Sequence, residues 1–416
     1  MKDFTAKTLI AQYTKRDLIL YALGIGCCSD DTDNEDTYNR ELQYVYENHP
    51  TFQSFPTYLF ALSFVAEQQQ HQSSEVGTQI STTNQQLGFG IKPFPPDSMT
   101  NSLEDGSKCG IIPIQFFKNK EDAKEVQHLP ILHMSQSLTF HDKIKLQTTD
   151  ITVCIDPPIQ VQLKTNILSV KPKSIGTFVT SETAYYQDGD CIASAQMVAL
   201  ILGLDPDKIV PWKAPSVNER KLGNIHNKRA SNDAFSIDSR DKAKKTVTNY
   251  TIPKNAALLY RLSGDYNSIH VEGDNLLGSE NDSTKMPHQG QIQHKRGPVL
   301  HGLCTLGYAM RAVLRHVHCH HYDGNSEAVV ASVQCNFTKP VFVGDAIRVD
   351  VWDEEDECTS QEKSVINIYF CVHKALLSGG CENNEVKSVV VLDKGIAQFR
   401  LLKRPGAEVG PTISRL

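Results

Sequence analysis

The sequence repeats one order of patterns twice, and this repetition constrains the fold more than any other feature. In the first half, helical patterns over residues 14–26 and 55–66 precede alternating, β-branched segments that begin near Leu132. In the second half, a short helical pattern over residues 254–262 and a long one from His301 precede further strand patterns. Each half therefore predicts helices first and an antiparallel meander afterwards, as in a duplicated α+β unit whose sheet wraps one helix.

Pro, Gly and Asp-Gly turn signals separate the strand patterns within each half. The alternation of apolar and polar residues predicts sheets with one buried face. The predicted strands cover residues 160–170, 175–186 and 191–202 in the first half, and 329–337, 346–352, 365–373 and 386–401 in the second.

The chain is long enough for two domains. Its 416 residues exceed what one compact core usually takes. Residues 216–245 are rich in polar and charged residues and predict a linker, which gives a first domain at 1–215 and a second at 246–416. Within the first domain, the Gln/Ser/Thr-rich stretch at about 67–110 lacks periodicity and predicts a polar insertion.

Charge and hydropathy exclude several classes of protein. With 42 Lys and Arg against 48 Asp and Glu, the net charge of −6 provides no basic field for a nucleic acid. No apolar run approaches the ~18 to 20 residues of a membrane helix, so we expect no membrane span. The eleven cysteines are scattered, and the charged start lacks the apolar core of a signal peptide, so we expect reduced thiols inside a cell.

A loop with acid/base character follows the short helix of the second half. Ser263-Gly264 ends that helix, so Asp265, Asn267 and His270 lie on irregular backbone that can aim their side chains at one point. A carboxylate and an imidazole that share one water can orient it, take its proton and return a proton to the product. The spacing alone is more typical of an Asp265 that caps a turn and a His270 on the surface.

The long helix begins at a Pro and a Gly. Pro298 and Gly302 mark its start, where unpaired backbone N–H groups and the helix dipole favour an oxygen that becomes anionic. Such a terminus is a candidate oxyanion hole. A buried amphipathic helix with no catalytic role has the same pattern. Its apolar face comprises Leu303, Leu306, Ala309, Met310 and Val313.

Together these two segments resemble the hydratase 2 motif of the MaoC-like 2-enoyl-CoA hydratases, and their order matches. The resemblance covers most of the chain outside the insertions and implies an α+β double hot dog, two antiparallel sheets each wrapping a central helix. The first domain would accommodate the acyl chain, and the second would hold the catalytic residues. Further segments in family order are 21–26, 42–47, 55–57, 132–133, 255–265, 339–341 and Gly344.

By this resemblance, Asp265 and His270 match the family's catalytic pair, and Asn267 matches its supporting asparagine. Gly302 matches the backbone donor to the thioester oxygen. Glu47 matches an acidic residue of the first domain that the family needs for full activity.

The resemblance also implies substrate-binding positions. Tyr260 and His301 flank the motif, and His133 follows Leu132 in family order. The basic run Lys242, Lys244 and Lys245 could meet the phosphates of CoA, although such a run is more often a solvated linker. Ser268 stands where the motif usually has Pro, which affects substrate range and rate more than reaction type.

No metal site is expected. His316 and His320 are spaced i, i+4 on the long helix, as metal ligands can be, but the sequence shows no further ligand for them. Cationic histidines also stabilise a helix C-terminus without any metal.

The implied reaction is the hydration of trans-2-enoyl-CoA to (3R)-3-hydroxyacyl-CoA in fatty acid β-oxidation. No cofactor is expected, because the thioester is the electron sink and CoA is part of the substrate. Alternatives are a thioesterase, a dehydratase or a non-catalytic acyl-CoA-binding protein. Ser414-Arg415-Leu416 resembles the Ser-Lys-Leu address, which predicts a peroxisomal location and a peroxisomal import receptor as partner. A homodimer is compatible with this architecture.

Overall fold

A long antiparallel sheet runs through both halves of the chain. The computed structural model describes residues 7–29, 35–74, 101–102, 108–109, 112–125, 129, 131–141, 158–214, 245–272, 297–322, 326–353, 365–375 and 388–403. The helices are α1 Lys15–Gly24, α2 Glu35–Val45, α3 Leu59–Ser74, α4 Asp122–Glu125, α5 Ala256–Tyr260, α6 Ile269–Glu272 and α7 Gly302–His321. The strands are β1 Lys7–Tyr13, β2 Asn101–Ser102, β3 Lys108–Cys109, β4 Ile131–Phe140, β5 Ile159–Lys173, β6 Gly176–Gln187, β7 Asp190–Leu202, β8 Trp212–Lys213, β9 Lys245–Thr251, β10 Ser326–Phe337, β11 Ala346–Asp353, β12 Val365–Ala375 and β13 Ser388–Lys403.

The strand order reveals an internal duplication. The order along the large sheet is β1-β5-β6-β7-β4-β10-β13-β12-β11-β9, and β8 pairs with β5. Read from its outer edge inwards, each half has the same succession: β1-β5-β6-β7-β4 in the first and β9-β11-β12-β13-β10 in the second. The two halves meet where β4 pairs antiparallel with β10, from Thr139 opposite Ser332 to Ser135 opposite Asn336.

Each half carries one central helix. The helix α7 contacts all five strands of the second half, and its first four turns are almost entirely buried. In the first half, α3 packs against β1. None of the helices in the described ranges is both long and apolar enough to cross a membrane.

The predicted strands and helices agree with the structure to within a few residues, but the predicted starting order is wrong. Each half begins with a strand, β1 or β9, and α2 was not predicted. The reason is that α2 is mostly polar and buries only Thr37, Glu41 and Tyr44. The helix α3 also extends into the predicted insertion as far as Ser74, while residues 75–100 lie outside the described residues. Most of the predicted linker, residues 216–244, lies outside them too, so the domain limits stay a prediction.

The helices of the first half pack closely against the second half. A Cβ added to Gly24, at the end of α1, would lie 3.2 Å from the Cα of Tyr260 in α5. A Cβ on Gly307 of α7 would overlap the side chain of Ile25, so that only glycine permits this approach. The backbone before the candidate site is therefore fixed by contacts between the halves.

A buried ion pair also joins the halves. Arg311 of α7 donates from Nε to Oε1 of Glu41 over 2.9 Å and from Nη2 to Oε2 over 3.0 Å. The Cys28 N–H donates to the same carboxylate over 2.7 Å. The Arg311 guanidinium also lies over the rings of Tyr250 and Tyr308, at 5.1 and 5.6 Å from their centroids. The bidentate geometry and these contacts offset the free-energy cost of burying both charges away from water.

Candidate active site

The loop that carries the predicted acid/base residues begins at a glycine that no other residue could replace without strain. A 3-10 turn over Arg261–Ser263 ends at Gly264, whose φ of +114° is left-handed. A Cβ at Gly264 would lie 2.9 Å from the Cβ of Phe64 in α3. The loop is therefore turned sharply and pressed against the central helix of the first half.

Asn267 holds the shape of this loop. Its backbone N–H donates to Oδ1 of Asp265 over 3.3 Å, and its own Oδ1 accepts from the N–H of Ile269 over 3.2 Å. Asparagine side chains commonly accept in this way at the start of a helical turn. This second contact begins α6, on which His270 lies. Asn267 thus fixes Asp265 and His270 relative to each other.

The imidazole of His270 is fixed in one tautomer. Its Nδ1 lies 2.7 Å from the carbonyl oxygen of Val299, and because a carbonyl can only accept, Nδ1 carries the proton. In the neutral ring, Nε2 then has a free lone pair. A buried imidazole with an unprotonated Nε2 is a suitable general base.

His301 supports His270 by stacking. Its ring lies on that of His270 with centroids 3.5 Å apart and an interplanar angle of 20°. Its Nε2–H donates to the backbone oxygen of Asp265 over 3.1 Å, and the ring of Tyr260 lies 4.8 Å away. His301 and Tyr260 are 1% and 2% exposed, so the structure gives both a positioning role, and their predicted contact with substrate stays a prediction.

Three ionisable side chains, two from the loop and His301 from the start of α7, converge. One carboxylate oxygen of Asp265 and one ring nitrogen each of His270 and His301 all lie within 4.8 Å of one another. Burial raises the pKa of Asp265, although the neighbouring His270 opposes this shift. Burial lowers the pKa of His270, although Asp265 opposes it, and it lowers the pKa of His301 well below 6.5. Near neutral pH, both imidazoles are therefore uncharged.

The start of α7 lies beside this group. Gly302 directly follows His301 and is the first helical residue, so its N–H has no acceptor within the helix. A Cβ on Gly302 would lie 3.3 Å from the ring of Phe337. The absence of a side chain leaves this N–H approachable by a substrate oxygen, as the oxyanion prediction requires.

The first half reaches the same region through β4. The ring of His133 lies 4.7 Å from that of Phe337, on the strand that pairs with β4. Its Nε2–H donates to Oε1 of Gln136 over 2.9 Å, and burial lowers its pKa to about 4. A neutral His133 thus packs behind the ring that borders Gly302, and its role in substrate binding stays a prediction.

Other predicted residues are not part of this group. Glu47 is exposed in the turn after α2, and in the described ranges it makes no hydrogen bond or ion pair with the loop. Nζ of Lys245 pairs with the buried carboxylate of Asp350 at 3.7 Å, and its predicted contact with the phosphates of CoA stays a prediction. Lys242, Lys244 and the tail Ser414-Arg415-Leu416 lie outside the described residues.

Three comparisons relate the chain to known proteins. Residues 11–87 match the model of the MFE-2 hydratase 2 N-terminal domain, and residues 287–369 match that of the MaoC like domain. The chain is 25% identical over 346 residues to a peroxisomal multifunctional enzyme type 2 of Drosophila melanogaster, covering 82% of this chain and 42% of that protein. It is 23% identical over 342 residues to a peroxisomal enoyl-CoA hydratase 2 of Arabidopsis thaliana, with 82% of each chain covered.

A solved structure has the same architecture. The MaoC-like dehydratase of Phytophthora capsici superposes with a TM-score of 0.53 at 22% identity, over 96% of each chain. Together with the duplicated strand order, this likeness confirms the predicted α+β double hot dog. The chain is therefore an enzyme of the hydratase/dehydratase class that joins an MFE-2 hydratase 2 N-terminal domain to a MaoC-like domain.

Proposed function

We propose that this enzyme adds water to trans-2-enoyl-CoA thioesters and forms (3R)-3-hydroxyacyl-CoA. The observation that carries the proposal is the convergence of the Asp265 carboxyl group and the unprotonated Nε2 of His270 beside the N-terminus of α7. The relatives named enoyl-CoA hydratase 2 support the substrate class. The R configuration rests on the family resemblance.

In the proposed mechanism, one water lies between Asp265 and His270. Nε2 of His270 accepts a proton as the water oxygen attacks the β-carbon, and electron density moves to the thioester oxygen. The Gly302 N–H and the positive end of α7 stabilise the charge that develops on that oxygen. The protonated pair then returns one proton to the α-carbon, so the pair ends the cycle as it began.

This mechanism requires no redox step and no Lewis acid, because the conjugated thioester itself accepts the electron pair. CoA belongs to the substrate. The predicted contribution of the first domain is to accommodate the acyl chain, and the contacts of Gly264 with α3 support an arrangement in which both halves border the site.

Crotonyl-CoA and the purified full chain test the proposal. Loss of the enoyl absorbance without release of free thiol is the expected result, and chiral analysis of the product should give the R isomer. Release of free CoA thiol would indicate a thioesterase, and saturable binding without turnover would indicate a carrier. Either of these results would overturn the proposed reaction, while an S product would overturn only the stereochemistry.

The pH dependence of hydration should reflect a neutral imidazole base. Because burial lowers the pKa of His270 from its ordinary value of 6.5, the base form predominates as the pH falls from 8 to 7. We therefore expect kcat/KM to stay nearly constant over this interval and to fall at lower pH, as the coupled Asp265 and His270 pair takes up a proton. A profile that falls steeply between pH 8 and 7 would contradict a buried neutral base.

The proposed location is the peroxisome. Relatives with peroxisomal names and the tail Ser414-Arg415-Leu416 support it. A fluorescent protein that carries the last dozen residues should become punctate with peroxisomal markers, and removal of Leu416 should return it to the cytosol. Diffuse fluorescence from the intact tail would contradict the proposed import receptor but not the proposed chemistry.

The homodimer is a further proposal, which sedimentation at several protein concentrations tests.

A further inference from the structure

Two histidines and a carboxylate converge at the C-terminal end of α7, far from Asp265. Nε2 of His316 lies 2.9 Å from Oδ1 of Asp353, and Nε2 of His321 lies 2.9 Å from the same oxygen. The sequence analysis paired His316 with His320 and found no third ligand. The structure places Asp353, the last residue of β11, as a third candidate ligand. The second histidine beside it is His321 and not the predicted His320.

A hydroxyl group orients the first of these histidines. Nδ1 of His316 lies 2.7 Å from Oγ1 of Thr246 on β9. When Nδ1–H donates to this hydroxyl, Nε2 presents its lone pair to the point where His321 and Asp353 meet. Metal-binding histidines are typically held by such a hydrogen bond from the other ring nitrogen.

The three side chains of this cluster differ in their exposure to solvent. The side chain of His316 is 0% exposed, whereas those of His321 and Asp353 are 21% and 17% exposed. His321 also borders a cavity of about 480 Å³ between α2 and α7. His316 is therefore enclosed, whereas His321 and Asp353 are partly exposed to the solvent from which an ion and a water molecule can enter.

We propose that His316, His321 and Asp353 bind one zinc ion, with water as a fourth ligand. Two imidazole nitrogens and one carboxylate oxygen are a donor set that zinc prefers when one tetrahedral position stays open. The three donor atoms lie within 4.8 Å of one another, so small side-chain shifts bring all of them to the zinc ligand distances of about 2.0 to 2.2 Å.

The ion would lie far from the proposed hydration chemistry. His316 lies fourteen residues after Gly302, which is about 21 Å along the helix axis. The site is thus separate from the Asp265 and His270 pair, and the proposed hydration does not pass through it. Zinc would instead tie the end of α7 to β9 and β11, at the end of the helix away from the oxyanion hole.

The test uses the untagged full chain after treatment with a chelator and dialysis. Calorimetric titration with zinc should show one site, and Co²⁺ in its place should give the visible absorption bands of a four-coordinate ion. His321→Gln and Asp353→Asn should each weaken zinc binding at least tenfold, and Thr246→Val should weaken it about 10- to 100-fold. His318→Gln, the same change on the same helix end, is the matched control and should bind zinc as the parent does.

Circular dichroism of the metal-free variants shows whether each has folded, and His321 and Asp353 were chosen because both are partly exposed. Zinc should raise the Tm of the parent and not that of Asp353→Asn. Zinc binding that stays unchanged in both ligand variants, or that is lost equally in His318→Gln, would overturn the proposal. Failure of the parent to bind zinc or to give the Co²⁺ bands would overturn it as well.

Discussion

Asp265→Asn and His270→Gln should each lower the turnover of enoyl-CoA hydration by roughly 10² to 10⁴ while the protein stays folded. Each change removes an acid/base group and keeps nearly the same volume. The amide introduced at position 265 can still accept the hydrogen bond from the backbone of Asn267. The loss should therefore appear in kcat more than in KM, as steady-state kinetics with crotonyl-CoA would show.

The double variant distinguishes a shared water from two separate roles. If both side chains act on one water, removal of the second adds little once the first is gone, so the double variant should be barely slower than either single one. His318→Gln, at the far end of α7, controls for the histidine substitution and should keep parental turnover. Losses that multiply in the double variant, or a single variant with most of its activity, would contradict the shared-water mechanism.

Local sequence patterns were sufficient to predict this pair. Asp265, Asn267 and His270 lie within six residues, and a glycine stop before them forces the chain into a loop, so neighbours in sequence become neighbours in space. The strands were predicted for a similar reason, because alternation of apolar residues is itself a local pattern. The strand β1 was missed, since in this short edge strand the exposed Ile10 lies between the buried Leu9 and Ala11 and hides the alternation of apolar and polar residues.

The groups that surround this pair could not be predicted, because they come from distant segments. The tautomer of His270 depends on the Val299 carbonyl, a backbone atom that leaves no signal in residue identity. The close approach of Gly264 to Phe64 joins segments two hundred residues apart. Similarly, Asp353 becomes a neighbour of His316 only after β11 has paired within the sheet. Long-range packing decides each of these contacts.

The Glu41 and Arg311 ion pair is the strongest example of such packing, and breaking it should have the largest effect on stability. Their side chains are 9% and 0% exposed. Glu41→Gln would leave the Arg311 charge buried without its carboxylate, and it should lower the free energy of unfolding by about 3–5 kcal/mol. Urea denaturation of the parent and the variant measures this difference.

Two matched changes separate a buried charge from a general loss of packing. Asp122 and Lys208 form an ion pair whose side chains are 22% and 29% exposed. Asp122→Asn breaks this pair and should lower the free energy of unfolding by less than about 1 kcal/mol. Replacing both buried partners, as Glu41→Leu with Arg311→Met, removes the charge together with its partner and should recover most of the stability that Glu41→Gln loses. If Glu41→Gln cost no more than Asp122→Asn, the pair would not hold α2 of the first half against α7. The orientation of the candidate site would then have to depend on the contacts of Gly24, Gly264 and Gly307 alone.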